Sequence, residues 1–289
     1  MIGKAQVKNK CVVVFAALAA IVFLSVGVLL SVGKKSKLTT KDQLPKPRWI
    51  DRNYNPRLVP SLYFSAEKDL EVCQAISDNN LIRLRDLLTD FPDINSTGKD
   101  GVTFLFWAWM VNNLDAFKIL LDVGADPDAT VKNEVRLDLE IFARAGDSVL
   151  FGSLTYRRGG DFLDAALKRT KNPNQVDAGG YNLIHRYFSV GTSAIGLNRI
   201  DSLIASGVDL HKPSPLGQTV CEMSIFAVQI NFRFPSECIK LLEAGAPTEL
   251  NGKSLYSKVC DIVERGSDLR MIEIKSWLET HGRTGKRED

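Results

Sequence analysis

Five times along this chain a glycine is followed, two residues later, by Thr, Ser or Asn and then by two apolar residues. The copies are Gly101-Val102-Thr103-Phe104-Leu105, Gly146-Asp147-Ser148-Val149-Leu150, Gly180-Tyr181-Asn182-Leu183-Ile184, Gly217-Gln218-Thr219-Val220-Cys221 and Gly252-Lys253-Ser254-Leu255-Tyr256. Successive glycines are 45, 34, 37 and 35 residues apart, so three steps share one period and the first carries roughly ten extra residues. A period of this length is the mark of a stacked-repeat architecture, in which each unit buries its apolar face only against its neighbours.

The element reads as a tight turn feeding a capped helix. Glycine takes a backbone conformation closed to other residues, and the hydroxyl or amide oxygen accepts an orphan amide of the first helical turn. Second apolar clusters follow three of the caps, at Ile119-Leu120-Leu121, Leu203-Ile204 and Leu241-Leu242, and predict second helices. Gly124-Ala125-Asp126-Pro127, Gly207-Val208-Asp209 and Gly245-Ala246-Pro247 stop them with a glycine where a helix end favours the left-handed region. Residues 67–98 read as an atypical first copy, with Leu70, Val72, Cys73 and Ile76 on one helix and Leu81, Leu84, Leu87 and Leu88 on the next. Terminal repeats differ because their outer face meets water.

The unit resembles the ankyrin repeat, whose first helix opens Thr-Pro-Leu-His-x-Ala. Thr103-Phe104-Leu105-Phe106-Trp107-Ala108 keeps the Thr, Leu and Ala; Asn182-Leu183-Ile184-His185 keeps the His; the proline is absent from all five copies. The resemblance implies an all-α, ankyrin-type helical solenoid of about five to six helix pairs over residues 67–280. It also gives His185 a structural task, bonding the turn backbone.

Ahead of the repeats, residues 1–10 form a basic tail with Lys4, Lys8 and Lys10, and residues 11–33 run without a charge from Cys11 to Gly33. At about 1.5 Å per residue such a helix crosses a hydrocarbon core of roughly 30 Å, so residues 11–33 are expected to form a single transmembrane helix that stays uncleaved. Residues 34–66 interleave Lys and Arg with Pro45, Pro47, Pro56 and Pro60 and read as an extended basic linker, with Trp49, Ile50, Tyr54 and Leu58 placed to dock on the first repeat. Residues 281–289 are a polar tail. The flanking lysines favour the cytoplasm for the segment after the helix, whereas a short basic start before a long apolar run is the form of an exported anchor. The expectation is a repeat domain on the exported, periplasmic side of a bacterial inner membrane.

Charge narrows the partners. Residues 1–66 hold 11 Lys and Arg against two Asp, a balance of +9; the whole chain is +3, so the remainder carries 3 − 9 = −6 and offers no broad basic face to nucleic acid. The five cysteines have no metal-ligand spacing, and a disulfide among Cys73, Cys221, Cys238 and Cys260 stays open for an exported domain. Catalytic arrangements are missing: Ser148 and Ser254 lack the second glycine of a nucleophile elbow, and Pro247 stands where a phosphate loop ending in Gly252-Lys253-Ser254 requires glycine. Asn95-Ser96-Thr97 satisfies a glycosylation pattern. No enzyme and no cofactor are expected.

What remains is binding of a protein, by a monomer. Four large rings crowd the first full repeat at Phe104, Phe106, Trp107 and Trp109, more than one buried stripe needs, with Phe104 and Trp107 the natural core pair. Residues 128–145 form a long insertion in which Arg136, Asp138, Glu140 and Arg144 alternate with Leu137, Leu139 and Ile141-Phe142. Ankyrin stacks bind through their fingers and the adjoining first helices, so the resemblance makes Trp107, Trp109, Arg136, Asp138, Glu140 and Arg144 the candidate partner-binding residues. Phe232 and Phe234, apolar residues on a connecting segment, are the second candidate. Two roles fit: a dedicated binder of one protein, or a membrane-tethered scaffold organising several. Single-anchor proteins of this size with divergent ankyrin repeats are similar to bacterial immunity proteins that neutralise a toxin or effector by direct binding.

Overall fold

The computed structural model describes residues 58–137, 140–155, 159–189, 199–230, 233–250 and 252–284. The expected basic tail, the membrane helix at 11–33, Trp49, Ile50, Tyr54 and the rest of the linker up to residue 57, and the end of the polar tail lie outside the described residues. Among the described residues no helix is long and apolar enough to cross a membrane.

Among the described residues twelve helices form six pairs: α1 (Glu67–Ser77) with α2 (Leu81–Leu88), α3 (Phe104–Met110) with α4 (Leu114–Asp122), α5 (Val149–Thr155) with α6 (Gly159–Leu167), α7 (Leu183–Ser189) with α8 (Ile200–Ala205), α9 (Val220–Gln229) with α10 (Pro235–Glu243), and α11 (Leu255–Glu264) with α12 (Met271–Thr280). First helices stack on first helices from α1 to α9, and second helices stack on second helices from α2 to α12. One continuous apolar core runs between the two layers. The pairing follows from the caps. All five signature glycines have φ between +70° and +86°. At Gly101 a Cβ would also stand 2.6 Å from the Lys132 amide nitrogen, so the turn excludes a side chain twice over. Thr103, Asn182 and Thr219 cap their helices through side-chain oxygens, the last in a full capping box with Glu222. Two expected caps are not made. Ser254 ends a short strand and makes no side-chain cap bond, and the buried Ser148 hydroxyl has no hydrogen-bond partner.

The second helices reveal a signal that periodicity hides. Asn80 and Asn113 cap α2 and α4, and the Asn79 and Asn112 before them sit at φ 54° and 58°. Asn-Asn is therefore the tight link of the first two repeats, because asparagine tolerates the left-handed region and caps well. On the opposite edge, the turns are tied in series. Asn95 bonds the Asp126 amide and the Gly124 carbonyl, Asp128 accepts the Lys171 and Asn172 amides, and Asn174 bonds Asp209 and Gly207 in the same way. Lys171-Asn172-Pro173-Asn174, which lacks the usual glycine stop, is held by this ladder.

The all-α expectation is corrected in one respect: the solenoid is mainly helical but carries two antiparallel hairpins, β1 (Val135–Leu137) with β2 (Glu140–Ala143) and β3 (Glu249–Leu250) with β4 (Lys253–Ser254). The apolar-polar alternation of the long insertion has period two, which suits a strand and not a helix. Residues 58–66 also belong to the packed body, since Leu58, Tyr63 and Phe64 are buried and Pro60–Leu62 form a 3-10 turn against the first repeat. Leu58 thus docks as expected.

Candidate protein-binding surface

Trp107 and Trp109 do not face outward. Trp107 is fully buried, its indole Nε1 donating to the Cys73 carbonyl and the Ser77 hydroxyl, each at 3.1 Å, so that it bolts α3 to α1. Phe64 stacks on Phe104 and meets Trp107 edge-on, and Phe91 meets Phe104 edge-on. Trp109 is 6% exposed. Its ring lies over Gly152 of α5, where a Cβ would come within 2.9 Å, and Phe106 and Phe142 contact its edges. The physical reason for the four rings is this cover: two fill the stack, and Trp109 with Phe106 fills the first-helix face under the hairpin.

The β1–β2 hairpin folds back over its own repeats. The Lys132 and Asn133 amides donate to the Asp100 carbonyl, Tyr63 donates to the Arg136 carbonyl, and the Asp147 carbonyl accepts from Val131 at the base. Val135, Phe142 and Ala143 face inward and are buried, while Arg136 and its cross-strand neighbour Ile141 face outward. Arg136 pairs with Glu134 in an exposed ion pair, an interaction worth little in water. Arg144 is exposed, with its amide donating to the Asp147 carboxylate. Asp138 lies outside the described residues, as does Phe232. Glu140 is placed by its backbone in β2, opposite Leu137.

Asp147 at the hairpin base carries a carboxylate oxygen that is buried without a hydrogen-bond partner. Burial raises its pKa, opposed by the Arg144 amide bond and by the Arg186 charge. His185 takes the role expected of it. Its Nδ1 accepts from the Asn182 amide and its Nε2 faces the Lys212 carbonyl at 3.0 Å, a pair of partners that fits the neutral ring with the proton on Nε2. Burial pushes the imidazole below its ordinary value.

The open apolar surface is on the fifth repeat. Of the twelve exposed large hydrophobic side chains among the described residues, four come from residues 216–234: Leu216 at 75%, Phe226 at 56%, Ile230 at 39% and Phe234 at 73%. Leu216 is at the turn, Phe226 is on α9 with Ile230 four residues on at its C-cap, and Phe234 is the N-cap of α10. This grouping makes them the candidate contact residues of the described chain. Phe234 was legible as an apolar residue on a link; Phe226 was not, because a lone Phe inside an apolar helix reads as core.

Phe234 stands on a rigid base. Its amide donates to Glu237, Tyr187 donates its hydroxyl to the same carboxylate, and Arg233 donates to the Tyr187 carbonyl at 2.8 Å with its guanidinium 4.0 Å above the Tyr187 ring. Arg233, Glu237 and Tyr187 are all buried. Burial and the Glu237 charge push the Tyr187 phenol well above its usual range, so the hydroxyl stays a donor. A side chain presented from such a base loses little freedom on binding. Among the described residues no group of three or more His, Cys, Asp or Glu is placed to hold a metal ion.

Helix pairs joined by glycine turns, with first helices stacked on first and second on second, give this molecule the ankyrin-repeat fold. No family model matches the chain. It is similar to the phosphocholine transferase AnkX of Legionella pneumophila, at 27% identity over 184 residues, and the match takes in 60% of this chain but 18% of AnkX. Its fold is also that of a crystallised ankyrin repeat domain from Acinetobacter baumannii AYE, with a TM-score of 0.53 at 20% identity over 73% of this chain and 97% of that one.

Proposed function

We propose that this chain is a membrane-anchored protein-binding module that acts by binding and not by catalysis, and that its partner seats on the fifth repeat, on Leu216, Phe226, Ile230 and Phe234. The observation that carries the reading is the exposure of Phe226 and of Phe234, the latter bonded through its amide to a buried Tyr187–Glu237–Arg233 cluster, while the aromatic side chains of the second repeat are enclosed. Arg136, Ile141 and Arg144, exposed on the hairpin, form the secondary contact. Every copy of the repeat departs from the family signature in its own way, which favours one dedicated partner over a scaffold's several. The single apolar span at 11–33 and the size of the chain suit a bacterial immunity protein, with a toxin or effector as that partner.

The test is capture of partners from a membrane extract by the full-length chain. Phe226→Ala with Phe234→Ala should lose the partner by about 30-fold or more, the loss of roughly 2 kcal/mol common for a central anchor. Loss only with Arg136→Ala and Arg144→Ala moves the site to the hairpin. A partner held at full strength by both double variants removes the reading.

A further inference from the structure

We propose that the β1–β2 hairpin is a strap that opens while the repeats beneath it stay folded, and that a proton on Asp147 holds it shut. The hairpin leaves the stack at Val131 and returns at Asp147. There the Val131 amide donates to the Asp147 carbonyl and the Gly146 amide to the Val131 carbonyl, both at 2.9 Å. Between these points three residue pairs make the ladder, and the register slips between Val135 and Arg136. A two-stranded ribbon this short is marginal by itself in water. It is tied to the repeats through the Asp100 carbonyl, which accepts from the Lys132 and Asn133 amides, and through the Asp100 carboxylate, 3.1 Å from Asn133 Nδ2. The Tyr63 hydroxyl, 3.3 Å from the Arg136 carbonyl, and the buried Val135, Phe142 and Ala143 complete the seat. Asp100 itself stands at φ 61°, in the left-handed region that a β-carbon disfavours.

The base of the strap encloses polar groups that water would satisfy better. One Asp147 carboxylate oxygen accepts the Arg144 amide at 2.9 Å, and the other is buried without a hydrogen-bond partner, as is the neighbouring Ser148 hydroxyl. A buried group left unpartnered carries the full cost of its desolvation, and opening the strap returns Asp147 to water. Protonation is the alternative, because a neutral acid is easier to bury than a carboxylate. Of the charges facing Asp147, Arg144 ends its own hairpin and Arg186 on α7 favours the carboxylate. Asp177, in the turn before α7, opposes it and engages Arg186 at 3.4 Å. Helices α3 and α5 carry no titratable side chain, and His185 of α7 is turned to Lys212. Burial holds the closed-state carboxyl above its ordinary 3.8. The closed strap therefore binds the proton more tightly than the open one, so the hold is complete below 3.8 and is lost as pH rises through the closed-state value. Opening lifts Phe142 from the edge of Trp109 and uncovers an aromatic face on the second repeat. The strap stands apart from whichever partner the fifth repeat takes.

The experiment is hydrogen exchange on the purified full-length chain, read by mass spectrometry at pH 7 and pH 4 with times scaled for the intrinsic exchange rate. At pH 7 the amides of residues 131–147 should exchange about tenfold or more faster than those of α3, which report any global change in the same sample. At pH 4 that gap should narrow by about fivefold or more, the lower end of what an unpartnered buried group costs. Asp147→Asn, neutral at either pH, should show the narrow gap already at pH 7. Equal exchange of hairpin and α3 in the natural chain would overturn the strap. A gap that stays constant or widens on acidification overturns the part given to the proton, and a gap that still narrows in Asp147→Asn takes that part from Asp147. Should the variant fold poorly, the two pH values on the natural chain decide.

Discussion

The second and fifth repeats solve the same problem in opposite ways. Both open with a glycine turn and a Thr cap, and both carry large aromatic residues on or beside the first helix. In the second repeat Phe64 closes over Phe104 and Trp107 at one end, the hairpin closes over Trp109 at the other, and the two helices are linked by Asn112-Asn113. In the fifth, no element of the described chain covers Phe226 or Phe234 enough to bury them, and Arg233 and Glu237 form a buried pair beside Phe234. Aromatic content alone thus does not mark a binding face. What separates core from surface is whether another element of the chain arrives to cover the rings.

The comparison breaks most visibly at Trp107. Replacing it with Ala removes a fully buried ring and its two hydrogen bonds, while the Ser77 hydroxyl keeps its bond to the Cys73 carbonyl, so a loss of about 3–5 kcal/mol is expected from urea unfolding. A loss below about 1 kcal/mol would return the ring to the surface.

Gly152→Ala probes the enclosure from below, since the new methyl meets the Trp109 ring at 2.9 Å. Overpacking should cost about 1–3 kcal/mol, and the cost should shrink in a Trp109→Leu background. An unchanged melting temperature would mean that Trp109 is free to swing out.

A smaller effect comes from pH. His185 has a folded-state pKa below its ordinary 6.5, so the unfolded chain binds the extra proton. Its contribution to stability is complete above 6.5 and is lost as pH falls from there through the folded-state value. The urea midpoint should therefore decline on acidification below 6.5, and His185→Gln should flatten that slope. A midpoint that rises over this interval contradicts the neutral, buried ring. Asp147, whose pKa is raised by burial, has the opposite sign: its destabilising effect grows as pH rises above the ordinary 3.8, and Asp147→Asn should relieve it.

The smallest stability change belongs to the fifth repeat. Phe226→Ala and Phe234→Ala should each move stability by no more than about 0.5 kcal/mol, as for exposed positions outside the core. Losses comparable to Trp107→Ala would show that these rings are packed in solution, and the contrast between the repeats would vanish.

The sequence by itself determined the architecture. Five glycines at a near-constant period fix where each turn must take positive φ, and the Thr or Asn that follows fixes where most of the first helices start, because both effects are local to the backbone. His185 was assignable from the repeat signature, its Nδ1 meeting the Asn182 amide of its own turn and its Nε2 the Lys212 carbonyl of the next repeat. Tertiary structure decided the face. Trp109 and Phe226 are both aromatic residues in apolar first helices, and no local rule separates them. One is covered because a hairpin thirty residues away bends back onto it, and the other is left open because none does. Exposure depends on contacts distant in the chain, and a single sequence records the residues of such contacts without recording which of them meet.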